Sequence, residues 1–312
     1  VVRLLERGLQ DISISRQRQS WGIPYPDDSQ QTVYVWFDAL INYLSATGFP
    51  EAGYERLWPA DVHVIGKGIT RFHCVIWPAM LMAADVPLPH RVWAHGYVQW
   101  GGEKMSKTAG TAVSLDGAIE RHGADALRYF LLREIGFEND GNFTWERFDA
   151  RYTADLADTF GNLASRVLAM VQRYRGGVVP RDPRDFAGPL ESDARSALEG
   201  YARAMDALAL EDGAAALVTL AARANRYVQE TAPWTLSKEG RPAELDTVLA
   251  NLARTVARLA VLAVPFMPDK AHLLWDALGT GRPFEAVRFT DVTDLDPTGW
   301  VVQKPLPLFP KT

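Results

Sequence analysis

The stretch from Asp61 to Trp100 constrains the fold most. DVHVI (Asp61–Ile65) is a short apolar run, and Gly66-Lys67-Gly68 interrupts it. A helix-shaped run then fills Ile69–Ala84, and a second apolar, strand-like run covers Arg91–Trp100. Strand, glycine turn, helix, loop and strand is the repeat of a doubly wound parallel α/β sheet. Ligands of such sheets lie at the carboxyl ends of the strands, where Gly66–Gly68 and Trp100–Lys107 fall. The second strand leads through a Gly101-Gly102 turn into EKMSKTAG (Glu103–Gly110), and a helix is expected after Ser114 and Asp116. Lys104 and Lys107, three residues apart with Ser106 between them, suit a loop that closes on a polyphosphate. A leaving pyrophosphate gathers charge in the transition state, so ammonium groups there stabilise it more than they stabilise bound ATP. A bare KxxK is equally an ordinary solvated turn; the longer string between a strand and a helix is far more specific.

Upstream, Val1–Leu9 reads as a helix end, DISISR (Asp11–Arg16) as a short strand and WGIPYP (Trp21–Pro26) as a loop. TVYVWF (Thr32–Phe37) is β-branched and aromatic and is expected to be a buried strand ending near Trp36, with Asp38 capping a helix through Tyr43 to Gly48. After about Asp140 the character changes. Tyr152–Tyr174, Asp193–Ala209, Asp212–Thr231, Glu244–Val264 and Asp269–Leu278 are alanine- and leucine-rich with helical spacing, which makes a helix bundle. Gly281–Thr312 is proline-rich and expected to be extended. The expected fold is therefore α/β plus all-α. Residues 1–140 form the distal half of a Rossmann-like doubly wound sheet, 141–280 the bundle, and 281–312 a tail. The chain opens at Val1 inside an apparent helix, so a fragment is expected, with the proximal half of the sheet missing.

The 312 residues are long enough for two domains with separate cores. A net charge of −5 argues against a broadly basic nucleic-acid coat and leaves room for a local basic face. The single cysteine, Cys74, excludes an internal disulfide and fits a reduced, cytoplasmic setting. No run reaches the roughly 20 apolar residues of a membrane span. The nearest, Leu252–Met267, is broken by Arg254, Arg258 and Pro265 and reads as an amphipathic helix.

Two constellations carry chemistry. Trp36, Tyr43 and His73 can face the same strand ends, and an aromatic wall with a phenol and an imidazole suits a thioether. By spacing alone they are equally core aromatics with a satisfied histidine. In the bundle, Asn162 and Arg166 lie at i and i+4 on one helix face, and Trp234 follows Pro233 at a helix end. Amide, guanidinium and an exposed indole are the chemistry of single-stranded RNA recognition, though by spacing alone Asn and Arg are usually solvated and Trp is usually core.

The string Lys104-Met105-Ser106-Lys107-Thr108 resembles the second signature of class I aminoacyl-tRNA synthetases. In order along the chain, DISISR, WGIPYP, YVWFDALINYLSATG, HVIGKGITRFHCVIWPAML, HGYVQWGGEKMSKTAG, GNLASR and APWTLSKEG resemble the methionyl-tRNA synthetase family over nearly the whole length. The resemblance implies a methionine–tRNA ligase. Trp36, Tyr43 and His73 would form the methionine pocket, and Arg16 would lie near the amino acid and adenylate. Lys107, supported by Lys104 and Ser106, would hold the ATP phosphates, with His95 and Gly96 close to the nucleotide. Asn162, Arg166 and Trp234 would bind the anticodon.

The implied ligands are ATP with Mg2+, L-methionine and tRNA(Met). The expectation is a monomer, with no membrane partner and no structural zinc in this part of the chain. Two positions depart from the commoner pattern. Gly68 stands where an aspartate is often found, and Ile76 where an aromatic residue often completes the methionine pocket. The six histidines include no HxGH arrangement, the first signature of class I enzymes. The chain alone is therefore expected not to make methionyl-adenylate. The alternative is a non-catalytic tRNA anticodon-binding module. Another class I synthetase of the branched-chain or cysteine group is disfavoured by APWTLSKEG beside GNLASR.

Overall fold

The computed structural model describes residues 1–17, 21–104, 114–136, 139–304 and 307–311, with backbone alone for Glu103 and Lys104. The described chain forms two compact units, Val1–Tyr97 and Val98–Thr312. It is mixed α/β in its first part and all-helical in its second.

The first unit contains α1 (Val2–Glu6), β1 (Ser15–Gln17), β2 (Pro24–Tyr25), β3 (Asp28–Val33), α2 (Val35–Ser45), β4 (His63–Gly66), α3 (Trp77–Ala83) and β5 (Val92–His95). β3 runs antiparallel between β1 and β2, with Arg16 opposite Thr32. β4 and β5 are parallel, in register from His63–Val92 to Gly66–His95. Their crossover is a 3-10 turn at Lys67–Ile69, a π-helix at Phe72–Ile76 and then α3. This is the strand–turn–helix–strand order expected of a parallel sheet. Leu40, Leu44, Trp58, Trp77, Leu81 and Val86 form the unit's core.

Several expectations are corrected here. TVYVWF is not a strand: β3 stops at Val33, Tyr34 is the extended N-cap, and a helix begins at Val35. Trp36, Leu40, Tyr43 and Leu44 stand at i, i+4, i+7 and i+8, so helical winding gathers them on one face and buries Leu40 and Leu44. That burial overrides the strand propensity of the segment. Asp38 lies inside the first turn and is not the cap. The strand read at Asp11–Arg16 begins only at Ser15, and Arg91–Trp100 is two short strands rather than one.

The second unit opens with β6 (Val98–Trp100) and β7 (Glu103–Lys104), followed by α4 (Leu115–His122), α5 (Ala124–Glu134), β8 (Gly141–Phe143) and α6 (Trp145–Arg151). β6 pairs antiparallel with β7 and parallel with β8. Gly101 (φ +59°) and Gly102 (φ +88°) make the β6–β7 turn, a two-residue connection with left-handed backbone at both positions that glycine adopts without strain. Ser114 caps α4 by accepting from the Gly117 N–H at 3.1 Å.

The bundle comprises α7 (Asn162–Arg175), α8 (Pro189–Asp206), α9 (Leu210–Thr231), α10 (Pro233–Lys238), α11 (Pro242–Ala263) and α12 (Pro268–Ala277). A π-helix at Tyr152–Gly161 joins α6 to α7. α11 is buried nearly all round, Arg254 and Arg258 included. It is the central helix of the bundle, and the amphipathic reading of Leu252–Met267 is corrected. Arg258 is tolerated there because every side of its guanidinium is paired. It donates to Glu191 at 2.6 and 3.0 Å and to the Val292 and Thr293 carbonyls at 2.8 Å each. These bonds also fasten residues 281–312. That segment is not simply extended: 3-10 turns at Phe284–Ala286 and Phe289–Thr293 press Val292, Leu295, Val302, Leu308 and Phe309 into the bundle core.

Candidate active site and nucleic-acid interface

In the first unit, α2 and the π-helix bring Trp36, Tyr43 and His73 together. His73 is 1% exposed, and its Nδ1 lies 3.0 Å from the Ile69 carbonyl. A carbonyl only accepts, so Nδ1 carries the proton. In the neutral ring Nε2 is then an acceptor, and the Tyr43 hydroxyl donates to it at 2.9 Å. Trp36 stands edge-on to His73 at 6.2 Å and stacks on Phe72 at 4.3 Å and 12°. Ile76, on the same π-helix, packs against this core.

Two members of the cluster were missed by sequence reasoning. His63 lies 4.4 Å from the Tyr43 ring and accepts the Trp77 indole N–H at 3.2 Å. Burial first, and repulsion from His73 second, hold the His63 imidazole below the ordinary histidine value. A neutral His63 suits its role as acceptor. The signal for it was the alternation of DVHVI: His63 and Ile65 are buried while Val64 is exposed. Phe72, the stacking partner of Trp36, had no such signal. Cys74 is half-buried, and burial pushes its thiol up, so it is not primed as a thiolate.

Arg16 lies elsewhere in the unit, at the start of α2. Its guanidinium sits 3.5 Å over the Tyr34 ring and donates through Nη1 to the Ser13 and Ser15 carbonyls at 3.0 and 2.8 Å. Its Nε and Nη2 have no protein partner among the described residues. His95 and Gly96 follow the carboxyl end of β5, beside Gly66 of β4. His95 Nδ1 donates to the Gly96 carbonyl at 2.8 Å, which leaves Nε2 as the acceptor of the neutral ring. A side chain at Gly68 has no room: a Cβ there would lie 2.0 Å from the Tyr97 hydroxyl. Lys67 Nζ in turn stands 5.1 Å from the Tyr97 ring centre. Tyr97 is thus a third residue that sequence reasoning missed, and it fills the space that an aspartate at 68 would take.

In the second unit, Lys104 ends β7 and its side chain is not described; Ser106 and Lys107 lie outside the described residues. Asn162 opens α7 and Arg166 stands one turn on. Trp234 is in the first turn of α10 and is 39% exposed. Among the described residues these three side chains form no hydrogen bond, ion pair or ring contact. Leu236 of α10 packs into the bundle core. Among the described residues no group of three or more His, Cys, Asp or Glu side chains could hold a metal ion, and no helix is long and apolar enough to cross a membrane.

Residues 1–168 match the family model described as tRNA synthetases class I (M), and residues 184–312 match the anticodon binding domain of methionyl tRNA ligase. The methionine–tRNA ligase of Streptomyces coelicolor is 41% identical over 330 residues, covering 100% of this chain and 60% of that protein. That of Brucella suis is 42% identical over 317 residues, covering 100% and 61%. The crystal structure of Mycobacterium tuberculosis methionyl-tRNA synthetase bound by methionyl-adenylate superposes with a TM-score of 0.91 at 37% identity, covering 99% of this chain and 62% of that one. The chain therefore spans about 60% of the length of the curated relatives it matches.

Proposed function

The chain belongs to the class I tRNA synthetases of the methionyl type, and on that premise we propose that it serves the ATP-dependent attachment of L-methionine to tRNA(Met). One arrangement carries the reading: the buried His73, its Nδ1–H held by Ile69, accepts the Tyr43 hydroxyl beside the Trp36–Phe72 stack. A thioether needs polarizable aromatic edges and no counter-charge, and this cluster offers both conditions. A charged side chain would find neither a free carboxylate nor a cation within it.

In the proposed reaction a methionine carboxylate oxygen attacks the α-phosphorus of ATP, and the bond to pyrophosphate breaks. A terminal ribose hydroxyl of the tRNA then attacks the carbonyl carbon of the adenylate, and AMP leaves. Trp36, Tyr43 and His73 take the methionine side chain. Arg16, with donors to spare, lies near the amino acid and adenylate. His95 and Gly96 adjoin the nucleotide. Lys104, Ser106 and Lys107 hold the phosphates, and Mg2+ enters with the ATP as part of the substrate. Asn162 and Arg166 read base edges of the anticodon while Trp234 stacks on an unpaired base. The protein acts as a monomer in the cytoplasm, where its tRNA and ATP are, and needs no structural zinc in these residues.

The test is methionine-dependent exchange of pyrophosphate into ATP by the full-length protein that contains this sequence. Exchange driven by another amino acid and not by methionine would sink the proposal. A second reading concerns the 312 residues alone. Because their histidines form no HxGH, we propose that they bind tRNA without making adenylate. Exchange by the isolated chain at the full-length rate, or equal affinity for CAU and non-CAU anticodon loops, overturns it.

A further inference from the structure

α7 is unusual in its charge. Its fourteen residues, NLASRVLAMVQRYR, include three arginines and no aspartate or glutamate, in a chain whose net charge is −5. The arginines differ in how they are used. Arg175 points to the bundle and is paired with Asp246 at 2.5 Å. Arg166 and Arg173 have no carboxylate partner among the described residues, and Arg173 only leans on the neighbouring Tyr174 ring at 5.5 Å. The acids just upstream are already engaged: Asp155 with Arg151 and Tyr129, Asp158 with Lys311.

Position along the helix explains the difference. At 100° per residue, Asn162, Arg166, Ala169 and Arg173 fall within an arc of about 60°, while Arg175 falls on the far side. Asn162, Ala169 and Arg173 are exposed and Arg166 is half-buried, whereas Leu163, Ala164, Val167, Leu168 and Val171 face the core. The outward stripe is therefore uncovered, cationic and smooth at its middle, where Ala169 leaves a gap between the two guanidinium groups. Seven residues separate Arg166 from Arg173, about 10 Å along the axis.

We propose that this stripe is a track for an RNA backbone, on which Arg173 binds a phosphate two helical turns from the base-reading pair Asn162 and Arg166. The proposal rests on the anticodon-binding role proposed above and extends it from bases to backbone. A guanidinium with its ring face on Tyr174 keeps its N–H edge for phosphate oxygens, which it meets in a bidentate fork. The competing explanation is that Arg173 merely offsets the helix dipole in the last turn, where basic residues are favourable. That role is already filled by Arg175 and does not apply to Arg166, which lies outside the last turn.

The two explanations separate in salt dependence. The probe is an anticodon stem-loop RNA, with a CAU or a non-CAU loop, titrated with the full 312-residue chain at several salt concentrations. Arg173→Ala is expected to weaken both RNAs alike, by about threefold to tenfold, and to lower the slope of log affinity against log salt by about 0.7–0.9. Arg173→Lys should recover most of the slope. Arg203→Ala, which removes an equally exposed charge on α8, should leave it unchanged. An Arg173→Ala slope equal to that of the unaltered chain overturns the track while leaving the anticodon reading in place. A loss confined to the CAU loop also overturns it, because that would make Arg173 a base reader. If the unaltered chain binds neither RNA, both the track and the anticodon reading fall.

Discussion

Tyr43→Phe tests the heart of the candidate methionine site. The substitution removes one oxygen and keeps the ring, so the packing of residue 43 on His63 at 4.4 Å survives. What is lost is the only donor that meets His73 Nε2, in an imidazole 1% exposed to solvent. The other ring nitrogen is committed to the Ile69 carbonyl and cannot exchange roles without leaving that carbonyl facing a lone pair. A buried acceptor left unsatisfied costs about 1–3 kcal/mol. At 1.4 kcal/mol per decade, that is about 5-fold to 150-fold in the local opening constant. Hydrogen exchange at the amides of α3, which follows the π-helix carrying His73, reads that constant in the first unit alone. Protection should fall by this factor, and in the full-length enzyme the KM for methionine should rise. A double-mutant cycle isolates the bond: in a His73→Ala background, Tyr43→Phe should cost less than about 0.5 kcal/mol. Unchanged protection, or the same loss with and without His73, would refute the paired arrangement.

Three further outcomes follow from the geometry. Glu191→Ala leaves the fully buried Arg258 without its counter-ion and should destabilise the second unit by about 3–5 kcal/mol, read by thermal melting. Burial alone would raise the Glu191 carboxyl, but the Arg258 hydrogen bonds and the charges of Arg258, Arg254 and Arg195 outweigh it and hold it below the usual range. Its contribution is therefore full above the ordinary glutamate pKa and is lost as pH falls through the lowered folded value; Glu191→Ala should flatten that acid limb of the stability curve. Gly68→Ala puts a Cβ 2.0 Å from the Tyr97 hydroxyl and must swing the phenol away. Since Tyr97 is 40% exposed, the cost should be below about 1 kcal/mol and should vanish in a Tyr97→Ala background, as measured by denaturant titration. Trp234→Ala, at 39% exposure, should leave thermal stability nearly unchanged but cost about 1–3 kcal/mol of anticodon-loop affinity.

The helical half was the more legible because its signal is local. Asp212–Thr231 was read and Leu210–Thr231 is found, since alanine and leucine at helical spacing leave little choice. The failures came where a short segment satisfies two periods. TVYVWF has the composition of a strand, yet the buried positions Leu40 and Leu44 lie beyond it and impose a helix that begins inside it. The three residues assigned to the methionine pocket do meet, but for a different reason than the one read. Trp36 and Tyr43 converge through two turns of α2, not through the end of a strand. Arg254 and Arg258 were read as marks of a solvated face. Their burial depends on Glu191 and the Val292 and Thr293 carbonyls, partners distant in sequence that no local pattern announces.

The ten residues Tyr152–Gly161 close each hydrogen-bonded ring with one residue more than an α-helix does. The wide register displaces the Thr159 carbonyl, and Asn225 of α9 receives it, donating through Nδ2 at 2.9 Å. Because α7 continues directly from this segment, the winding upstream sets the azimuth at which Asn162 emerges. Excising one residue and reverting to α winding would keep the helix continuous yet turn Asn162 and Arg166 by about 100°. The bundle thus holds a phase adjuster: a change of a single residue in length, away from any base-reading side chain, suffices to re-aim the whole reading face.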